Sequence, residues 1–306
     1  MIITITPNPS LDYTLFLESD LTFGTIHRAD NFTLSAGGKG LNGSMVLNQL
    51  KVPSIALTFL SGFVGKKILE EMTQHSLIQC DPIWIKDENR INVKIRSSKE
   101  TDINLKGPYI TLDEQLQLLN KLNSITSDDW ILVCGSLSKN LNFDFLKEIA
   151  QRIQKVDAKL VLDGIDIKLH DLEVLKPTLI KPNLDELKAL YPNESITLDN
   201  YRLFASKIYE KYKTQVVVSL GSKGAYYCGK QGEVQVIQPE IKAINTVGAG
   251  DSMLAGIISI LSRHGSIEEA LCLGAAAGAA TASSPGLATL DSILIHQKSC
   301  SIIKLM

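Results

Sequence analysis

The sequence contains no apolar run long enough to cross a bilayer. Its longest small-residue stretch, Ala270 to Ala282, is dominated by alanine and glycine and falls short of the roughly 20 residues that a spanning helix needs. A buried helix is expected there instead. Basic residues are neither in excess nor clustered, with 31 Lys and Arg against 33 Asp and Glu and a formal charge of -2. Without a basic tail or block there is no electrostatic reason to expect nucleic acid or an anionic membrane as partner, so a small molecule is expected. Cysteines are few and scattered. The five (Cys80, Cys134, Cys228, Cys272, Cys300) are odd in number and form no C-x-x-C pair, which argues against a disulfide framework or a zinc site. The five histidines are equally dispersed, and a reducing cytoplasm is the expected location. Met1 to Thr6 lacks a basic leader and runs straight into Pro7-Asn8-Pro9, so a first buried strand is expected and not a signal peptide. With no internal repeat, low-complexity segment or linker, residues 1–306 are expected to form one main domain plus a small accessory piece.

What is present is a strand and helix rhythm. Short apolar runs at Ile2 to Ile5, Ile55 to Leu60, Trp130 to Cys134, Leu160 to Leu162, Leu179 to Ile180 and Val216 to Leu220 alternate with amphipathic stretches such as Leu112 to Leu122 and Phe143 to Ile153. That pattern predicts an α/β fold, a doubly wound parallel sheet with helices on both faces. Two regions break the rhythm, approximately residues 12–34 and 89–105. Both alternate with period two, as in Ile91, Val93 and Ile95 set against Asn92, Lys94 and Arg96. Paired strands with one polar face are expected, forming either a small antiparallel sheet that serves as a lid or a solvent-exposed hairpin pair.

The strongest chemical signal is Thr246-Val247-Gly248-Ala249-Gly250-Asp251, followed by a helical pattern from Met253 to Leu261. Gly248, Ala249 and Gly250 would let backbone N–H groups converge at a helix start, where the helix dipole favours an anion. Asp251, in the first turn, would be placed to take a proton from an attacking hydroxyl. Read alone, the same residues also suit a tight turn with an ordinary acid at a helix N-terminus. Gly37-Gly38-Lys39-Gly40 precedes a helix from Leu41 to Leu50 and would hold a sugar hydroxyl or a phosphate, although it is not a P-loop, whose spacing is absent. Asn183 and Glu186, three apart after Lys181-Pro182, suit hydrated magnesium and equally suit a capping box. Ser219-Leu220-Gly221-Ser222-Lys223-Gly224 ends a Val-rich strand where a nucleotide would lie in a parallel sheet, or where a simple hairpin turn would stand. The small residues of Gly274 to Ala282 suit close helix packing or an adenine face, and packing is the better reading. Asp12 would accept sugar hydroxyls, and Arg90 with Asn92 would complete a polar set in which Arg90 grips a phosphate, or Asp12 and Arg90 would each stand as an ordinary surface charge.

Together and in this order, the segments T-P-N-P-S-L-D, G-G-K-G with Asn42, K-P-N-x-x-E-L, V-S-L-G-x-x-G and N-T-V-G-A-G-D resemble the PfkB branch of the ribokinase-like sugar kinases, over nearly the whole chain. The resemblance implies a ribokinase-like fold with a β-sheet lid, ATP and Mg2+ as cosubstrates, and in-line transfer with Asp251 as base. It also implies that Gly248, Ala249 and Gly250 form an anion hole. Lys181, Asn183, Ser219, Gly221, Gly224 and Thr246 match nucleotide-side positions, and Glu186 matches the position that organises the metal through water. Asp12, Gly37, Gly38, Lys39, Asn42, Arg90 and Asn92 match the sugar-phosphate side. Within the branch, Arg90 to Ile95 and Glu100 to Asn104 are most similar to bacterial 1-phosphofructokinases, with tagatose-6-phosphate kinases as neighbours. Fructose-1-phosphate is therefore the expected acceptor, tagatose-6-phosphate the alternative, and a catalytically inactive sugar-phosphate sensor a reading of another class. The exposed edges of the lid suit a homodimer. Three segments depart from the family pattern: Gly43, where a larger residue is usual, Ser138-Lys139-Asn140, and Asp163-Gly164-Ile165-Asp166. By its position alone, Lys139 is expected to reach the substrate phosphate.

Overall fold

Ile2–Thr6 (β1) is buried along its whole length because the sheet it belongs to is covered on both faces. Ile3 and Ile5 join one core and Ile2 the other, as the two-residue period of a strand dictates. The remaining strands are Ser10–Phe16 (β2), Asn31–Gly37 (β3), Ser54–Leu60 (β4), Ile78–Trp84 (β5), Arg90–Arg96 (β6), Glu100–Ile103 (β7), Trp130–Cys134 (β8), Lys159–Asp163 (β9), Leu179–Ile180 (β10), Gln215–Ser219 (β11), Ala225–Gly229 (β12), Gly232–Ile237 (β13) and Ser301–Leu305 (β14). In this computed structural model residues 1–305 are described; Met306, the last residue of the expected domain, lies outside the described residues.

The main sheet has ten strands in the order β14-β13-β12-β11-β10-β9-β8-β1-β4-β5. From β11 to β5 every pairing is parallel, whereas β12, β13 and β14 are antiparallel additions. Of the two forms open to the segment after β11, Leu220–Gly224 takes the hairpin, a tight turn that returns the chain before any crossover helix can form. Helices Lys39–Gln49 (α1) and Gly62–Met72 (α2) lie on one face. Leu112–Lys121 (α3), Phe143–Lys155 (α4), Leu172–Leu175 (α5), Leu184–Leu190 (α6) and Tyr201–Tyr212 (α7) cover the other. Ala249–Leu261 (α8), Ile267–Ala282 (α9) and Leu290–Gln297 (α10) pack on the first face. Among the described residues no helix is long and apolar enough to cross a membrane.

The period-two regions form a separate sheet of four strands in the order β3-β2-β6-β7. It is mixed and not antiparallel as expected, because β2 and β6 run parallel, Asp12 opposite Asn92. Both strands leave the same edge of the main sheet, after β1 and β5, and therefore travel in the same direction. Alternation fixes which face a residue takes and leaves its partner strand open.

Gly43 stands in the interior of α1, and a Cβ built there meets nothing within 4 Å. Alanine has the higher helix propensity and lowers the entropy of the unfolded chain, so Gly43→Ala is expected to stabilise the protein by about 0.5–1 kcal/mol. A thermal melt in which Tm falls would contradict this.

Candidate active site

Helix α8 begins at the carboxyl edge of the main sheet and is fixed there by α9. A Cβ on Gly256 would lie 2.8 Å from the Gly274 Cα, so the two backbones touch, and Ser252 Oγ and Thr281 Oγ1 hydrogen-bond at 2.7 Å. Gly248 caps the helix at φ 80, in the left-handed region that disfavours side chains. The Ala249 N–H is donated to the Thr246 carbonyl at 3.2 Å. Among the described residues the amides of Gly248, Gly250 and Asp251 have no backbone acceptor. The donors left at this N-terminus are thus those of 248, 250 and 251, and not Ala249 as expected. Asp251 is only 7% exposed, and its Oδ2 accepts from Asn42 Nδ2 at 2.8 Å. Burial pushes its carboxyl up to about 6, with the charge of Asp163 adding to the effect, while Lys39, the Asn42 amide and Lys181 oppose it.

Beside Asp251 runs a chain of charges from three strand ends. Asp163 closes β9, is buried, and takes Lys181 Nζ on Oδ1 at 3.0 Å and Lys39 Nζ on Oδ2 at 3.6 Å. Lys39 reaches it by passing over Gly164, φ 64, where any Cβ would overlap the lysine's end. Glu186 Oε1 lies 3.5 Å from the same ammonium. Burial alone would lower Lys39, but the carboxylates of Asp163, Glu186 and Asp251 outweigh it and raise its pKa. Asn183 and Glu186 form a full capping box for α6: Asn183 Oδ1 accepts from the Glu186 amide at 2.8 Å, and Glu186 Oε2 from the Asn183 amide at 2.9 Å.

The lid sheet supplies the opposite wall. Asp12 Oδ1 accepts from Ser10 Oγ at 2.8 Å and Asn92 Nδ2 at 3.0 Å, and Oδ2 meets Lys94 Nζ at 2.6 Å. Arg90 donates to the main-chain carbonyls of Leu105, at 3.0 Å, and Asn8, at 2.8 Å, so two of its five N–H groups are engaged and a bidentate grip must use the others. One cleft of about 1430 Å³ lies between the lid and α8 and holds residues from both.

A family model described as pfkB family carbohydrate kinase matches residues 8–293. The chain belongs to this family. A 1-phosphofructokinase of Bacillus subtilis is 34% identical over 289 residues, spanning 94% of this chain and 95% of the relative. A tagatose-6-phosphate kinase of Staphylococcus epidermidis is 35% identical over 277 residues, 89% of this chain and 88% of the relative. The crystal structure of phosphofructokinase-2 from Escherichia coli with substrates and products superposes with a TM-score of 0.90 at 26% identity, covering 97% of this chain and 98% of that one. As a pfkB-family carbohydrate kinase the chain is a phosphotransferase.

In this family member, Asp12, Gly38, Lys39, Asn42, Arg90, Asn92 and Lys139 all line the one cleft with Lys181, Asn183, Glu186, Ser219, Gly221, Thr246 and the 248–251 turn. Gly37 and Gly224 do not. Gly37 lies behind the lid carboxylate, where a Cβ would come within 2.6 Å of Asp12 Oδ1, and Gly224 closes the β11–β12 turn against Val236. Asn42 lines the cleft and its Nδ2 donates to Asp251 Oδ2. Gly278 and Ala282 line the cleft, whereas Gly274 serves packing. Two groups went unassigned in the sequence: Asp163, buried behind the cleft and paired with Lys181 and Lys39 in a segment that departs from the family pattern, and Lys94, which lines the cleft two residues beyond Asn92 on the same strand face. In the Ser138-Lys139-Asn140 departure, Ser138 donates to the Pro7 carbonyl and Asn140 bonds the backbone of Ile110, leaving Lys139 exposed at the cleft.

Proposed function

We propose that this kinase transfers the γ-phosphoryl group of ATP to O6 of fructose-1-phosphate, giving fructose-1,6-bisphosphate. The observation that carries the proposal is that a buried, proton-avid Asp251 shares one cleft with the amides of a helix N-terminus and with the polar face of the lid. With Oδ2 held by Asn42, Oδ1 of Asp251 is left to take the proton of the 6-hydroxyl as its oxygen attacks phosphorus. The amides of 248, 250 and 251 then receive the charge on the transferred group, and Lys39 and Lys181 add positive field. The sugar rests against Asp12, Asn92 and Arg90. The nucleotide side falls to Lys181, Asn183, Ser219, Gly221 and Thr246, with Gly278 and Ala282 offering a small-residue surface for the base.

Magnesium fits this site as a hydrated ion riding on the phosphates. Among the described residues no group of three His, Cys, Asp or Glu is placed to cage a metal. Glu186 is half-exposed and would hold the ion through water; the Asn183 oxygen is already engaged in the helix cap, which counts against direct ligation. When bound, the ion would neutralise the β- and γ-phosphate oxygens. The lid leaves β3 and β7 as edges, with Phe32 and Leu34 exposed along β3, and this supports pairing of two copies through the lid.

Steady-state assays against fructose-1-phosphate and tagatose-6-phosphate test the acceptor. At least a tenfold higher kcat/KM is expected for the former, roughly the discrimination that 1.4 kcal/mol supplies. The reverse order would assign the tagatose reaction, which the Staphylococcus epidermidis relative's name also brings forward. Lys139→Ala is expected to raise KM for the sugar phosphate several-fold with KM for ATP unchanged, roughly the weight of one exposed charge-assisted contact. An unaltered sugar-phosphate KM would remove Lys139 from the site.

A further inference from the structure

In β6, residues 90, 92 and 94 share one face, and all three line the cleft. Arg90 and Asn92 take part in the reading above; Lys94 has no part in it. Its ammonium is nevertheless buried, with 9% of its side chain exposed, and it meets Asp12 Oδ2 at 2.6 Å. Burying such a pair costs desolvation energy that a pair of apolar side chains would avoid, so stability alone is a poor reason to have it.

We infer that Lys94 is a positioning and specificity residue, which acts through Asp12 to make the lid accept an anionic sugar. The inference rests on the proposed sugar-phosphate reading. A carboxylate offers about four acceptor positions, and Ser10, Asn92 and Lys94 fill three of those on Asp12. One position is left, which suits a single sugar hydroxyl. The charges point the same way. Asp12 is flanked by Lys94 on one side and on the other by Arg90, whose guanidinium feels its charge. Asp102, which also lines the cleft, is matched by Arg96 at 2.7 Å. With Lys94 present, the face made by Asp12, Arg90 and Lys94 carries one net positive charge. Without it, that face is neutral, the carboxylate is free to turn, and a phosphorylated sugar loses both its attraction and its fixed hydroxyl partner.

The test is calorimetric binding of fructose-1-phosphate, paired with steady-state kinetics, on Lys94→Met, Lys94→Gln, Lys94→Arg, Asp12→Asn and the double variant Asp12→Asn/Lys94→Met. Lys94→Met and Lys94→Gln should raise the sugar-phosphate Kd and KM by about 10- to 100-fold, the usual weight of a buried charge-assisted bond, and leave kcat and KM for ATP within about twofold. Lys94→Arg should recover most of the loss. The double variant should be no worse than the worse single, since both changes break one pair. The inference is overturned by an unchanged Kd, by losses that multiply in the double variant, or by kcat and KM for ATP failing alongside without rescue by arginine, which is how a merely structural lysine would behave. A wild-type protein that binds fructose-1-phosphate without phosphorylating it contradicts the proposed reaction and leaves this comparison intact. One that binds none contradicts both.

Discussion

Asp251→Asn is expected to lower kcat by about 10²- to 10⁴-fold, the usual range for loss of a general base, with KM for ATP nearly unchanged. The same substitution should make the protein more stable at neutral pH. In the folded state the carboxyl titrates at about 6, against an ordinary 3.8. Between those values the folded protein keeps a proton that the unfolded chain has released. The stability this group contributes is therefore full below about pH 4, is lost as pH rises through 6, and above that the buried charge is a net cost. A difference of two pH units corresponds to about 3 kcal/mol at most, so asparagine, which carries no charge, should raise Tm by several degrees at pH 8 and change it little at pH 4. A wild-type kcat/KM profile should show an acid limb near 6. A variant with a wild-type kcat, or one less stable at pH 8, would contradict the role given to Asp251.

Asp163→Asn is expected to do the opposite to stability, although it is the same isosteric change in a carboxylate whose charge acts on Asp251. Asp163 is the only carboxylate in salt-bridge reach of the buried Lys181 among the described residues, at 3.0 Å, and it also faces Lys39. Removing it strands a buried ammonium, at a cost of about 3–5 kcal/mol, which for a chain of this size is a fall in Tm of roughly 5–10 °C. A second substitution, Lys181→Met, should restore part of the loss by removing the stranded charge. Because the charge of Asp163 is one cause of the raised Asp251 carboxyl, the acid limb of the rate profile should also move down toward the ordinary carboxylate range. Calorimetric melts of the single and double variants check the first point. Equal melting of Asp163→Asn and wild type would remove Asp163 from the network.

The contrast between these two aspartates shows what could be read in advance. Asp251 is legible because a local pattern surrounds it, glycines that open a helix followed by an acid in its first turn. Asp163 is not, since its partners Lys39 and Lys181 come from distant segments and meet it only when β9, β10 and α1 are assembled. The parallel core was legible for a related reason: strands buried on both faces leave short apolar runs separated by helix-length stretches. The choice between hairpin and crossover after β11 was not, because a tight turn and a crossover begin with the same small polar residues. In the lid, alternation revealed the polar face of β6 and hence Arg90, Asn92 and Lys94 as neighbours, but pairing of Asp12 with Asn92 depends on strand direction, which alternation does not carry. The capping box of Asn183 and Glu186 was as readable as the proposed magnesium role, and Glu186 is compatible with both, because the cap uses one of its oxygens and leaves the other toward Lys39.

The most direct measurement is phosphorus NMR of the wild-type protein with ATP, Mg2+ and fructose-1-phosphate. ADP should appear in equal amount with one new phosphate ester on C6, and Asp251→Asn should form both at least about 100-fold more slowly. ATP cleaved without a new sugar ester, or a new ester formed equally well by Asp251→Asn, would contradict the account.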